Sequence, residues 1–470
     1  MKFRKIVATL GITLVVLAGS LNVKAANVVQ IPAQEIDTVY YQGIDSNKLT
    51  GWAEGPHIYS EAGIVMDADS GAILYAKNID NQHYPASITK VLTALVALEH
   101  NELTKTVTIT PDDYNFLKSG DNHIGLKNKE QITMEDALHG TLLASGNEVA
   151  HAVGSNTEGG YDNFIKLMNE KAAELGCTNS HFVNSHGLHD DEHYTSARDM
   201  ALIASAAFHN EEFMRITGTK NYTIPETNIT NEKRYLEQHH KMLFDWRDQY
   251  YEYCVGGKTG YTGRALNTLV TFASKDGVNL VSVVLRTHGT GNAYVDTRAM
   301  MDYAFANFSK VTVSTDMAQV YGMQSVDADS YVMLPNGIPF EDLECDVIMP
   351  TELEDRTGTL VYTYEGHPVG KVNMTVTDEY YNELHGIEEV EAETETKEKT
   401  TKKTEKKSGS KIVLKVILII VSIVVILFLL LLCYVAYRRY QIRLRKKRKQ
   451  KREIEFQKYV ERMQNKDAEQ

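Results

Sequence analysis

Hydrophobic and polar positions alternate along this chain in two periods, and the switches between them outline the elements. Gly63 to Asp67 and Ala72 to Ala76 are short apolar runs around Ala68-Asp69-Ser70-Gly71, which predicts a hairpin. Val91 to Leu98 is an apolar run preceded by Pro85, which suits a helix start. Val107 to Thr110 is a short strand candidate. Thr133 with Asp136 has the form of a capping pattern and opens a helix through Leu143. A helix is expected from Glu148 to Val153. Tyr161 to Leu175 has amphipathic spacing and stops at Gly176. Arg198 to Phe208 is helical in pattern. Thr268 to Ala273 and Leu280 to Leu285 are strand-like runs joined by the turn Lys275-Asp276-Gly277. Tyr294 to Phe308 is again helical, and residues 27–55 carry little periodicity and lead into the fold.

Beyond residue 310 the pattern changes to short alternating runs, such as Leu360 to Tyr364 and Lys371 to Val376, which predicts a small, separate all-β domain. Glu388 to Ser410 is rich in Glu, Lys and Thr with almost no large apolar residue; it cannot bury enough surface to fold and is expected to be a tether. Val416 to Ala436 is 21 residues without a charge, long enough to cross a hydrocarbon core of about 30 Å. Ten of the fifteen residues from Arg438 to Arg452 are Lys or Arg, which places that end in the cytoplasm. At the other end, Met1 to Lys5 is basic, Ile6 to Leu21 is mostly apolar and Val23-Lys24-Ala25 ends in a small residue, the pattern of a secretory signal peptide. The expected boundaries are 1–25 signal peptide, 52–309 main domain, 310–380 β domain, 386–411 linker, 416–436 transmembrane helix and 437–470 basic cytoplasmic tail.

Charge follows this division. The chain carries a net −13 over 470 residues, but residues 411–470 carry +10 and residues 1–25 carry +4, so the body between them is at −27. An acidic body with a basic tail argues against nucleic acid as its partner. Four cysteines, Cys177, Cys254, Cys345 and Cys433, set up no disulfide framework, and nothing in the sequence pairs Cys177 with Cys254. His181, His186, His189 and His193 with Asp190 and Asp191 are metal-ligand types, but one ligand set without a second cluster is a weak metal signal, so no metal or other cofactor is assigned.

The chemistry concentrates in three short motifs. Ser87 and Lys90 stand three apart, which on a helix puts the amine beside the hydroxyl. A serine becomes a nucleophile when a base takes its proton, and a lysine is that base only when burial or a nearby positive charge keeps it neutral. Ser145-Gly146-Asn147 adds a hydroxyl and an amide after a helix. Lys258-Thr259-Gly260 adds a second amine, a hydroxyl and a glycine that permits close backbone approach. Each motif alone is weak; in this order, S-x-x-K, S-x-N and K-T-G are a known serine acyl-transfer set.

With Pro85-Ala86-Ser87-Ile88-Thr89-Lys90, Ser145-Gly146-Asn147-Glu148, Asn184-Ser185-His186-Gly187-Leu188 and Lys258-Thr259-Gly260-Tyr261-Thr262, the chain resembles the D-alanyl-D-alanine carboxypeptidases, low-molecular-mass penicillin-binding serine peptidases of family S11. The resemblance covers roughly residues 52–377. It implies an α/β (α+β) transpeptidase/β-lactamase-like domain with an antiparallel sheet flanked by helices, followed by a β-sandwich-like domain. It implies catalytic roles for Ser87, Lys90 and Ser145. Asn147, Lys258, Thr259, Gly260 and Tyr261 would bind substrate, with the N–H groups of Ser87 and Tyr261 as oxyanion hole. Peptidoglycan stem pentapeptides are then the substrate and β-lactams the acylating inhibitors. Two features depart from the family pattern. Where an arginine for the terminal carboxylate is expected, the stretch Asn292 to Thr297 offers alanine, which leaves Arg286 or Arg264 as candidates. And the chain ends in a full apolar span rather than a surface-lying helix, which implies a single-pass membrane protein with its body outside. The other readings are a non-catalytic wall-binding sensor and a β-lactamase; the latter lacks a clear Glu-x-x-Leu-Asn loop.

Overall fold

The computed structural model describes residues 38–289, 291–318, 322–348 and 356–385. The expected signal peptide, linker, transmembrane helix and cytoplasmic tail lie outside the described residues. Among the described residues no helix is long and apolar enough to cross a membrane.

A five-stranded antiparallel sheet forms the frame. Its strands are β1 (Ser60–Asp67), β2 (Ile73–Lys77), β3 (Cys254–Thr262), β4 (Leu266–Lys275) and β5 (Val278–Thr287), in the spatial order β2-β1-β5-β4-β3. The hairpin expected at 63–76 is β1–β2; its turn is tied by Asp67, whose carboxylate accepts from the Ser70 N–H and hydroxyl at 2.8 and 2.6 Å. The turn between β4 and β5 places Asp276 and Gly277 at φ +50° and +78°, as a tight hairpin requires.

Both faces of this sheet are covered, which is why its strands run almost continuously apolar. Ile64, Met66, Val270, Phe272, Val281 and Val283 face one cluster. Val65, Leu269, Ala273, Leu280 and Val284 face the other, in the period of two that a pleated strand imposes. The first face packs the helices α1 (Thr89–His100), α2 (Met134–Leu142), α3 (Asn147–Ser155), α4 (Gly160–Glu174), α5 (Ala197–Phe208) and α6 (Glu211–Thr217). Thr133 and Asp136 close a reciprocal capping box at the start of α2, and α4 buries Phe164, Met168 and Ala172 on one stripe. The second face packs α7 (Asn292–Asn307) through Met300, Met301 and Ala304.

The strands that follow are β6 (Phe308–Thr312), β7 (Met323–Val326), β8 (Tyr331–Pro335), β9 (Glu344–Ile348), β10 (Thr357–Tyr364) and β11 (His367–Val376). They form the pair β6–β8 and the sheet β7-β11-β10-β9. The sequence expects a separate all-β unit here. In the structure Val332, Leu334, Leu360, Val369 and Met374 share one apolar cluster with α7 and with Val65 and Leu74 of the main sheet. The helices Thr315–Ala318 and Asp378–His385 also break the all-β pattern. Separate alternation in sequence does not entail a separate core when the inward residues meet an open sheet face.

Candidate active site

Ser87 sits in a 3-10 turn, Ala86–Ile88, that feeds directly into α1. The turn is held from three sides. The Thr89 hydroxyl donates to the Ala86 carbonyl at 2.8 Å, and the Thr268 hydroxyl of β4 donates to the Pro85 carbonyl at 2.8 Å. Gly187 presses so close that a Cβ there would lie 1.9 Å from the Ala86 oxygen. A Cβ on Gly260 would lie 3.0 Å from the Ser87 nitrogen, so β3 runs tight against the nucleophile turn only because that position is glycine. Ala86 itself is at φ +52°, a left-handed conformation that a residue with a Cβ adopts at a cost of about 1–2 kcal/mol. Such strain persists where the surroundings over-determine it.

One turn into the helix, the Lys90 amine lies 3.0 Å from the Ser87 hydroxyl oxygen. Its other partners are the Asn147 side-chain oxygen at 2.8 Å and the His186 carbonyl at 2.5 Å. Lys90 is fully buried, and burial first, then the neighbouring positive charge of Lys258, holds its pKa well below the ordinary lysine value. Both conditions that the motif demanded are therefore present, with desolvation the larger.

Ser145 follows α2 at φ +58°, and Asn147 opens α3. The Asn147 N–H donates to the Asn122 carbonyl at 2.8 Å, which seats the loop 120–122 over the cleft. Lys258 projects from β3; its amine donates to the Ser145 hydroxyl at 2.9 Å and to the Thr259 carbonyl at 2.9 Å. Burial pushes the Lys258 pKa down to about 7. Segments from α1, the α2–α3 connection and β3 thus converge in one linked cluster.

A cavity of about 360 Å³ opens over this cluster. Ser87, Ser145, Asn147, Thr259, Gly260 and Tyr261 line it, while the amines of Lys90 and Lys258 reach the hydroxyls from behind. All eight residues picked out in the sequence meet here. Arg264 and Arg286, the candidates for binding the terminal carboxylate, do not: both line a neighbouring cavity, and Arg286 is engaged by Glu61 at 2.7 Å. Ala293 and Tyr294 stand at that end of the cleft instead. Sequence reasoning missed Asp121, Asn122 and Thr268, whose only signal is a turn-forming Gly-Asp-Asn and a hydroxyl within an apolar strand.

The histidine-rich stretch serves the loop's own architecture. His193 accepts from the Val183 N–H at 3.1 Å and meets the Thr89 hydroxyl at 2.8 Å; burial holds it neutral, with its pKa pushed down to about 3. His186 accepts from the Leu188 N–H and stacks on Phe116 at 4.6 Å between ring centres. Cys177 and Cys254 are free thiols.

A family model described as peptidase family S11, D-alanyl-D-alanine carboxypeptidase, matches residues 50–289, half of the chain. The chain belongs to this family of D-alanyl-D-alanine carboxypeptidases. Among its relatives, D-alanyl-D-alanine carboxypeptidase DacF of Bacillus subtilis is 30% identical over 53% of this chain and 63% of its own length, so the alignment spans a little under two thirds of that relative. D-alanyl-D-alanine carboxypeptidase DacB2 of Mycobacterium tuberculosis is 34% identical over 54% of this chain and 84% of its own. Among solved structures, a D-alanyl-D-alanine carboxypeptidase from Mycobacterium tuberculosis H37Rv superposes with a TM-score of 0.50 at 32% identity, covering 55% of this chain and 95% of that one. The family match ends at residue 289, in the turn that follows β5, so it takes in the main sheet and α1 to α6.

Proposed function

We propose that this chain is a serine-type D-alanyl-D-alanine carboxypeptidase that removes the terminal D-alanine from peptidoglycan pentapeptides through an acyl-enzyme on Ser87. The observation that carries the reading is the buried Lys90 amine, 3.0 Å from the Ser87 oxygen and linked to Ser145 and Lys258 through the same cleft.

Neutral Lys90 takes the Ser87 proton as the hydroxyl oxygen attacks the carbonyl carbon between the two D-alanines. The carbonyl oxygen gains negative charge and accepts from the N–H groups of Ser87 and Tyr261; one such donor is typically worth about 10²–10³ in rate. The C–N bond then breaks. The departing D-alanine nitrogen takes a proton from the Ser145 hydroxyl, which is replenished by the Lys258 amine that already donates to it. Thr259 and charged Lys258 hold the terminal carboxylate. Asn147 offers its amide N–H to the peptide carbonyl while its oxygen stays on Lys90. The proton held by Lys90 passes to Lys258 through the hydrogen-bonded cleft, so Lys90 is neutral and Lys258 charged again. A water then gives its proton to Lys90 as its oxygen adds to the ester carbon, and Lys90 returns that proton to the Ser87 oxygen as the ester bond breaks and the shortened peptide leaves. A β-lactam enters the same path as an acylating inhibitor.

The basic, apolar start at 1–25 and the uncharged span 416–436 with its basic flank support a body outside the cell membrane and a tail within. Mass spectrometry after penicillin treatment tests the chemistry: a single adduct on the Ser87 peptide is expected, with D-alanine release from a pentapeptide abolished in Ser87→Ala. Absence of both adduct and D-alanine in the unaltered protein overturns the reading.

A further inference from the structure

Three cavities follow one another between the same two segments. Around Ser87 the walls are Gly187 and Leu188 on one side and Thr259 to Thr262 on the other. The next cavity, of about 650 Å³, lies between Leu188 to Asp190 and Tyr261 to Gly263. The third, of about 420 Å³, lies between Asp191 and Arg264 and is lined also by Glu61, His83, Tyr84 and Arg286. Segments 187–191 and 259–265 thus form the two sides of a groove that leads away from the nucleophile. At the other end Ala293 and Tyr294, in the first turn of α7, border the cleft. The leaving group is one amino acid, and the acyl half is the rest of a peptide, so the long arm suits the acyl half.

The charges in the third cavity are unequally engaged. The Arg286 guanidinium donates to Glu61 at 2.7 Å and to the Arg264 carbonyl at 2.7 Å, so it braces the turn between β3 and β4. Glu61 also accepts from His288 at 2.8 Å. Asp191 takes the Tyr84 hydroxyl at 3.2 Å and pairs with His189 at 3.4 Å. Arg264 is exposed, its backbone is fixed by Arg286, and its guanidinium has no hydrogen-bond or ion-pair partner among the described residues. In the same wall the Nε2 atom of His83 is buried without a partner. Both acids are answered; the open group is a guanidinium fork, whose geometry matches a carboxylate.

We propose that this third cavity is a substrate subsite in which Arg264 binds a carboxylate on the acyl half of the stem peptide, upstream of the bond that is cut. The proposal rests on the carboxypeptidase reading. It makes Arg264 a specificity residue: it touches substrate far from the reacting atoms and leaves the chemical step alone.

The test compares two substrates on the full chain in detergent: a blocked Lys-D-Ala-D-Ala tripeptide without an upstream carboxylate, and a stem pentapeptide that carries one. In Arg264→Gln, kcat/KM on the pentapeptide should fall about threefold to fivefold, the scale of an exposed ion pair, through KM and not kcat. The tripeptide and the rate of penicillin acylation should stay within about twofold, and Arg264→Lys should recover part of the loss. Added salt should erase the difference between the two substrates. An equal fall on both substrates, or no fall on either, overturns the subsite. Loss of D-alanine release from both substrates in the unaltered protein would instead overturn the carboxypeptidase reading, so the two failures are distinguishable.

Discussion

Lys77, at the end of β2, and Lys90, at the start of α1, are both fully buried, yet only one of them is placed to act as a base. The Lys77 amine donates to three backbone carbonyls, of Val39, Ile58 and Ser60, at 2.8, 3.0 and 2.9 Å. A carbonyl oxygen only accepts, so all three bonds require an ammonium with three protons. Burial lowers its pKa to about 8, against the pull of Asp296 and Glu61. Lys90 has two partners that only accept, Asn147 Oδ1 and the His186 carbonyl, and one that can donate, the Ser87 hydroxyl. A neutral amine satisfies that set completely: two N–H groups outward and one lone pair toward the serine proton. Burial alone does not make a catalytic lysine. What decides is whether one of its neighbours has a proton to give.

Replacing each lysine in turn sharpens this contrast most. Lys90→Met removes the base and should slow penicillin acylation of Ser87 by about 10²–10⁴; it also leaves Asn147 Oδ1 and the His186 carbonyl without their donor, so the melting temperature should fall too. Lys77→Met should cost stability alone. It leaves three buried carbonyls without their donor, at about 1–3 kcal/mol for a group left unpaired, so the melting temperature drops while the folded fraction still acylates at the original rate. Acylation lost in both variants, or a Lys77→Met protein that melts like its parent, would break the comparison.

The second amine of the cleft gives a pH signature of smaller size. Lys258 is charged below about 7 and neutral above it. Its charged form pairs with a substrate carboxylate, so kcat/KM on a peptide ending in a free carboxylate should fall as pH rises above about 7, approaching tenfold per unit. The same peptide with an amidated end has no carboxylate to pair and loses only the proton that Lys258 supplies through Ser145, so its alkaline limb should be the shallower of the two. Lys90 acts in the opposite sense, since lower pH protonates the base and closes the acid side of the profile. Parallel alkaline limbs for the acid and the amide would remove Lys258 from carboxylate binding.

Much of this was readable along the chain wherever the cause is local. The three-residue step from Ser87 to Lys90, the Thr133–Asp136 capping box, the apolar stripe of α4 and the Asp276-Gly277 turn all depend on neighbours within a few residues. The three motifs also name the cleft, because each supplies a functional group whose chemistry is incomplete without the others. What stayed hidden depends on contacts across the chain. Lys77 sits in an apolar strand run with nothing nearby to show that Val39 and Ile58 turn their carbonyls toward it. Asn122 enters the cleft only through its backbone bond to Asn147, from 25 positions away. Arg264 and Arg286 looked equivalent in sequence; Glu61, across from Arg286 on the neighbouring strand β1, is what engages one and leaves the other open. The later strands alternate like an independent domain, and only the second face of the main sheet, with α7 on it, draws them into a common core.

The smallest expected effect lies at Ala86, where local sequence and structure disagree. No glycine marks the position, yet its φ of +52° is one that glycine adopts freely. Ala86→Gly relieves the steric cost of the Cβ, about 1–2 kcal/mol, but it also loosens the unfolded chain, which offsets about 0.4–1 kcal/mol. The net should be a stabilisation between about 0 and 1.6 kcal/mol, read as a small rise in urea midpoint. Acylation should be unchanged or slower, since the hydroxyl and carbonyl contacts that hold the turn remain while the backbone that aims Ser87 gains freedom. A faster-acylating or less stable Ala86→Gly protein would mean that the Cβ makes a contact worth more than the strain, and that Ser87 is aimed by packing rather than by the bent backbone in front of it.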